Sequence, residues 1–257
     1  MRLVVKVGTS TIAHSTVRKN IRHMEQLVKV LSDLKNAGHQ IILVSSGAIG
    51  MGVGKLNLSA RPDDMPGKQA AAAVGQCELM YTYDRLFTMY NHTVAQVLLT
   101  GEDVEDAARH QNFINTIDRL LALGVLPIVN ENDTVATAEI SVGDNDTLGA
   151  VVATCVKADL LVLLSDIDGL YTADPRKNPD ARLIPQVEAI TPEIIALAGG
   201  AGSGLGTGGM ATKLKAAQMV TEVGSSMVIT NGDRPESLYD IVDGKAVGTR
   251  FTGGNNL

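Results

Sequence analysis

Short runs of β-branched and aliphatic residues recur along this chain, each followed by a longer segment in which apolar positions return every three or four residues. The runs are Leu3–Val7, Gln40–Ser45, Thr93–Leu99, Val125–Val129, Asp159–Leu164 and Ser226–Thr230. Several are apolar throughout, as strands buried on both faces are, and their alternation with helical segments predicts a parallel sheet flanked by helices. One helix is predicted from about Val17 to Ala37, with Val17, Ile21, Met24, Leu27, Val28, Leu31 and Leu34 on its core face and Gly38 placed to stop it. A second begins at Pro66, a favoured first-turn residue, and runs to about Tyr90, and a third ends at Gly124. Thr134–Val142 breaks the alternation and reads as paired short strands standing off the sheet, placed to act as a lid. With no linker-like stretch and no repeat, residues 1–257 read as a single domain with two lobes around a cleft.

Composition narrows the function classes. Aromatic residues make up 3% of the chain and Trp is absent, so base-stacking platforms are scarce. The formal net charge is -6 with Lys and Arg scattered, so no footprint for nucleic acid is expected. Cys77 and Cys155 stand far apart, which fits a reducing, cytoplasmic compartment better than a disulfide framework. No apolar run approaches the roughly 18 residues of a membrane span, and the N-terminus enters a strand without the pattern of a signal peptide. The five His residues show no metal-ligand spacing.

In open parallel sheets ligands lie at the carboxyl ends of the strands, and the loops there are distinctive in this sequence. Lys6-Val7-Gly8-Thr9-Ser10 sets a lysine near a strand end before glycine and two hydroxyls, a combination suited to phosphate oxygens and equally to a surface turn. Ser45-Ser46-Gly47-Ala48-Ile49-Gly50 opens a predicted helix, whose free N–H groups favour an anion. Asn130-Glu131-Asn132-Asp133 and Gly143-Asp144-Asn145-Asp146 gather carboxylates and carboxamides able to hold Mg²⁺, bind an ammonium or orient a lysine; Asx turns and a helix cap are the other reading. Ser165-Asp166 leaves the fifth predicted strand for a polar loop. Gly199–Gly209 carries seven glycines in eleven positions and leads into Met210-Ala211-Thr212-Lys213, which reads as a closing phosphate grip. It is not a Walker A loop, because Thr212 precedes Lys213 and Leu214 follows it.

In order and spacing these segments, together with Gly169-Leu170-Tyr171-Thr172-Ala173-Asp174-Pro175 and Gly204-Leu205-Gly206-Thr207-Gly208-Gly209-Met210, resemble the amino-acid kinase family over essentially the whole chain, on the branch that uses free glutamate. The resemblance implies a three-layer α/β/α sandwich with a mainly parallel central sheet, the carbamate kinase-like fold. It also implies transfer of the γ-phosphoryl group of ATP to the γ-carboxylate of L-glutamate, the first step of proline synthesis. It assigns Ser46, Gly47, Asp133 and Asn145 to glutamate, and Lys6, Ser165, Asp166, Thr207, Gly208, Gly209, Met210, Ala211, Thr212 and Lys213 to the nucleotide. Lys6 and Lys213 are expected to flank the transferring phosphoryl group with Asp146 holding them, and Mg²⁺ is expected to arrive with ATP instead of sitting in a protein metal site. Because a glutamate carboxylate with a pKa of about 4.3 is already ionised at neutral pH, no general base is needed. A homo-oligomer, feedback inhibition by proline and passage of the labile product to glutamyl phosphate reductase are further implications. A C-terminal PUA-type domain is not expected, since the chain ends at Leu257 soon after the last predicted strand. The rival readings are kinases of the same fold acting on N-acetylglutamate, aspartate, carbamate or UMP, and a catalytically silent sensor.

Overall fold

A computed structural model describes residues 1–14, 19–135, 144–198 and 209–253. Its strands are β1 (Arg2–Val7), β2 (Gln40–Ser45), β3 (Val94–Leu99), β4 (Leu126–Glu131), β5 (Leu160–Ser165), β6 (Gln186–Val187), β7 (Ser226–Asn231) and β8 (Thr249–Phe251). They form one sheet in the order β3-β4-β2-β1-β5-β7-β8-β6. All the neighbours from β3 through β7 pair in parallel, and β8 runs antiparallel to β7. The helices are α1 (Thr9–Ile12), α2 (Ile21–Asn36), α3 (Ala48–Lys55), α4 (Met65–Thr88), α5 (Gly101–Glu105), α6 (Ala107–Ala122), α7 (Asn145–Cys155), α8 (Pro192–Ala198), α9 (Met210–Glu222) and α10 (Ser237–Val242).

Strand alternation sorts the core into two layers. On one face Leu3, Val5 and Val7 of β1 pack with Met24, Leu27 and Leu31 of α2, Leu79 and Phe87 of α4, and Leu238 of α10. On the other, Val4 and Leu161 pack with Leu148 and Val152 of α7 and Ala216 and Val220 of α9. Burying a side chain of this size contributes about 1.5–3 kcal/mol, which is why these strands read as continuous apolar runs. Lys6 shares the face of Val4 and is therefore directed toward α7 and α9. The chain builds outward from β1 in one direction through β2 and in the other through β5, so the order reverses beside β1, where such sheets open a crevice.

The six strands expected from the pattern all form, with ends shifted by at most two residues. The short edge strands β6 and β8 carry no alternation long enough to announce them. The first helix departs from expectation. Residues Ala13 and Lys19 form an antiparallel bridge, and α2 begins at Ile21, two residues beyond it. Asn20 caps it, its side chain accepting from the His23 N–H. Ile21, expected on the core face, lies in this exposed first turn with 61% of its surface free. Val17 lies outside the described residues. α4 starts behind an Asp64 cap with Pro66 in its first turn. Thr134 and Val135 form part of a turn, and the rest of the expected hairpin, residues 136–142, lies outside the described residues, as do Gly143, Thr207 and Gly208.

Helices α3 and α4 touch backbone to backbone. A Cβ at Gly52 would fall 1.8 Å from the Ala71 carbonyl oxygen, and one at Gly75 would fall 1.7 Å from that of Ala48. This contact fixes the start of α3, and with it the loop after β2, against the buried face of α4. Among the described residues no helix is long and apolar enough to cross a membrane.

Candidate active site

Three charged side chains meet at the sheet's carboxyl edge. Lys6 arrives from β1, Asp146 from the first turn of α7 and Lys213 from the first turn of α9. The Lys6 Nζ lies 2.6 Å from Asp146 Oδ1, and the Lys213 Nζ donates to Oδ2 at 2.8 Å. All three are buried, Asp146 to within 2% of its surface. Asp144 sets the start of α7: its Oδ1 accepts from the Asp146 and Thr147 N–H groups, and its Oδ2 accepts from the Thr147 hydroxyl. One turn on, Gly149 leaves room for the Lys6 stem, since a Cβ there would stand 3.3 Å from Lys6 Cβ. Burial alone would raise the Asp146 carboxyl; the Lys6 and Lys213 ammoniums outweigh it and hold the group below the usual carboxylate range.

Beside this triad opens a cavity of about 400 Å³ walled by the loops after β1, β2 and β4. Asn145 ties two of its walls together, its Nδ2 donating to Ser46 Oγ at 2.5 Å and lying 3.4 Å from Asn130 Oδ1. Asn130 in turn donates to Gln76 Oε1 at 2.9 Å from the buried side of α4. Beneath Ser46, the Ser45 hydroxyl pairs with the buried Tyr83 hydroxyl at 2.9 Å. Gly47 turns the chain into α3 at φ 100°, a conformation open to glycine, and a Cβ there would collide with Ile12 Cδ1 at 2.6 Å. Asp133 lines the same cavity. Its carboxyl is pushed up to about 6, first by burial and then by the Glu131 charge, with Arg61 acting in the opposite direction.

The neighbouring strand end is built differently. Ser165 closes β5 and donates to Asp166 Oδ1 at 3.1 Å, and Arg176 Nη2 lies 3.3 Å from Asp166 Oδ2. The Asp166 side chain is 64% exposed. Its partial burial works upward, but Ser165, its own backbone N–H, Lys213 and Arg176 bring its carboxyl below the usual range. The action of Lys213 on it links this strand end to the triad. Gly209 caps α9 without a side-chain bond, so the first N–H groups of Met210 and Ala211 point out of the helix, as they do in anion sites. The Thr212 hydroxyl donates back to the Gly209 carbonyl at 2.7 Å.

Of the residues singled out in the sequence, Lys6, Ser46, Gly47, Asp133, Asn145 and Asp146 line one cavity, and Lys213 joins it through Asp146. Ser165 and Asp166 do not line it. Two residues of this neighbourhood carried no sequence signal. Gln76 is one polar position in an Ala-rich helix, and Arg61 sits in an unpatterned connection between α3 and α4. Only the packing of Gly75 against α3 reveals which way Gln76 faces.

A family model described as the amino acid kinase family matches residues 1–231. A glutamate 5-kinase from Clostridium tetani (strain Massachusetts / E88) is 57% identical over 249 residues, covering 97% of this chain and 93% of the relative. Among solved structures, an isopentenyl phosphate kinase product complex from T. acidophilum superposes with a TM-score of 0.67 at 18% identity, covering 98% of this chain and 100% of the other. A carbamate kinase from Giardia lamblia bound to AMP-PNP does so with a TM-score of 0.68 at 16% identity, covering 98% of each chain. At such identities the two structures establish the shared fold, an α/β/α sandwich on a mainly parallel sheet, while the family model and the close relative establish kinship. The chain belongs to the amino acid kinase family, among its glutamate 5-kinases.

Proposed function

We propose that this chain transfers the γ-phosphoryl group of ATP to the γ-carboxylate of L-glutamate, giving L-glutamyl 5-phosphate and ADP, and that the Asp146 triad is where transfer occurs. The observation that carries the reading is the single carboxylate bridging two buried lysines beside a cavity with polar walls. Phosphoryl transfer needs alignment and neutralisation of the equatorial oxygens more than covalent help from the protein. Asp146 holds two ammoniums apart, one on each oxygen, so that both stand ready for a charge arriving between them. Lys6 meets it from the sheet and Lys213 from α9. The attacking carboxylate is already an anion, so no residue has to take a proton.

In the cavity, Ser46 and Asn145 present a hydroxyl and a carboxamide already fixed by their mutual bond, and Asp133 offers a carboxylate for the substrate ammonium. Gly47, with no side chain of its own, contributes backbone. On the nucleotide side we assign Ser165, Asp166 and the start of α9, Gly209–Lys213; Thr207 and Gly208 belong to the same proposal from sequence alone. Asp144 spends both oxygens on the first turn of α7, and Asp146 spends both on lysines. No group of three or more His, Cys, Asp or Glu among the described residues is placed to hold a metal. In this reading Mg²⁺ is carried in on the phosphates of ATP, where the ion would supply charge neutralisation.

The acceptor cavity would also admit proline, a zwitterion like glutamate, which supports competitive feedback inhibition. Family kinship is what supports a homo-oligomer and passage of the acyl phosphate to glutamyl phosphate reductase. Both cysteines are free thiols, which supports action in the cytoplasm. The test is ADP release with MgATP and each of glutamate, N-acetylglutamate, aspartate, carbamate and UMP, with hydroxylamine trapping the acyl phosphate. Hydroxamate from glutamate alone is expected; ADP release with another acceptor alone would overturn the assignment.

A further inference from the structure

Among the described residues, the acceptor cavity holds one cation that the reaction centre does not use. At neutral pH L-glutamate carries two carboxylates and one ammonium. With the γ-carboxylate at the Lys6 end of the cavity and the ammonium at Asp133, the α-carboxylate is left over. It shares a carbon with the ammonium, so whatever receives it must stand beside Asp133. Among the described residues the cavity is lined by two cationic side chains, Lys6 and Arg61. Lys6 is bound to Asp146 at 2.6 Å. Arg61, in the connection between α3 and α4, is exposed and makes no ion pair within 4.0 Å among the described residues. Its charge reaches Asp133, where it opposes the combined effect of burial and Glu131.

We infer that Arg61 receives the substrate α-carboxylate, so that Asp133 and Arg61 together recognise the zwitterionic end of an amino acid while Lys6 and Lys213 serve its reacting end. The inference rests on glutamate being the acceptor. A planar guanidinium matches a carboxylate with two parallel hydrogen bonds, which a lysine cannot do. Standing at the rim, Arg61 stays hydrated until substrate arrives and is desolvated only by binding it. The pair also explains how a cavity lined, among the described residues, by four carboxylates, Glu131, Asp133, Asp144 and Asp146, admits a dicarboxylic amino acid. Two of the four are spent on α7 and the lysines, and Arg61 offsets the local charge at a third.

The experiment compares wild type, Arg61→Ala and Arg61→Lys on L-glutamate and on L-isoglutamine, which keeps the γ-carboxylate and the ammonium but carries an α-carboxamide. Hydroxamate formation gives kcat/KM, and inhibition constants against glutamate replace it wherever turnover is too slow to measure. Arg61→Ala is expected to lower kcat/KM for glutamate about 10- to 100-fold through KM and to leave isoglutamine where it was, so that the preference between them collapses. Arg61→Lys restores part of it. An unchanged preference in Arg61→Ala, whether both substrates fall together or neither moves, overturns the inference. Failure of the underlying assignment looks different, because wild type would then form no hydroxamate from L-glutamate.

Discussion

The two halves of the site are held in contrasting ways. The proposed acceptor half is a walled cavity whose polar groups are tied to one another: Ser46 to Asn145, Asn145 toward Asn130, Asn130 to Gln76. Among the described residues, the half we assign to the nucleotide, from Ser165 and Asp166 to the start of α9, is the more exposed, with Asp166 mostly in solvent. Asp146 joins the two. The contrast teaches where specificity is stored. A small acceptor must be told from other small acids by groups fixed before it binds, whereas a nucleotide brings its own polyanionic handle and needs chiefly N–H groups and cations.

Breaking the joint should cost most. Asp146→Ala leaves two ammoniums buried without their anion, and the expected loss of stability is about 3–5 kcal/mol, read from urea titrations. Lys213→Ala leaves the Lys6–Asp146 pair in place. Turnover should fall about 10²- to 10³-fold with the fold retained, and near-normal turnover would remove Lys213 from the reaction.

Within the acceptor half, Asp133→Asn should raise the glutamate KM about 10- to 100-fold and leave the ATP KM alone. Because the Asp133 carboxyl is raised to about 6 in the folded protein, it becomes protonated as pH falls through that value and loses its hold on an ammonium. Wild-type kcat/KM for glutamate should therefore drop below pH 6, and the variant should lack that step. Stability runs the other way. The folded state disfavours the charged carboxylate, so the contribution of this group is greatest at low pH and lost as pH rises through about 6. Asp133→Asn should be more stable than wild type at pH 8, with the gap narrowing as pH falls below about 6 and closing only below the ordinary carboxyl value of 3.8.

Much of this site was legible in the sequence because it lies in loops that follow recognisable strands. Lys6 and Ser46 come at the ends of apolar runs, and Asn145 and Asp146 open a helix behind an Asp cap. Burial was not legible, nor were the partners beyond the expected contact of Asp146 with Lys6 and Lys213. That Asp146 faces two lysines depends on the register that sets Lys6 beside Val44 and Leu163, and on the packing of α9 against α7. Gln76 was hidden because a glutamine in an Ala-rich helix reads as solvated surface until two glycines bring α3 against it. The start of α2 was missed for a local reason: an isolated bridge and an Asn cap overrule apolar periodicity at a helix end.

Gln76→Leu sharpens the comparison at a finer scale. It leaves Asn130 without an acceptor in a buried place, and glutamate KM should rise several-fold with nucleotide KM unchanged. The smallest effect is expected on the open side, where Asp166→Ala should leave stability within about 0.5 kcal/mol and move the ATP KM only a few-fold. An effect on glutamate as large as that of Asp133→Asn would erase the distinction between the halves.

The meeting of Lys6, Asp146 and Lys213 also bears on how a newly made chain becomes active. Lys6 and Asp146 are separated by more than half the sequence, and Lys213 emerges last, 67 residues after Asp146. None of the local elements can assemble the triad alone, so its closure must await β5, β7 and α9 docking on a sheet begun at the N-terminus. Catalysis is thus a late reporter of folding. In a refolding time course, recovery of phosphoryl transfer should trail recovery of helical circular dichroism, and the delay would measure how long the second half of the sheet takes to find the first.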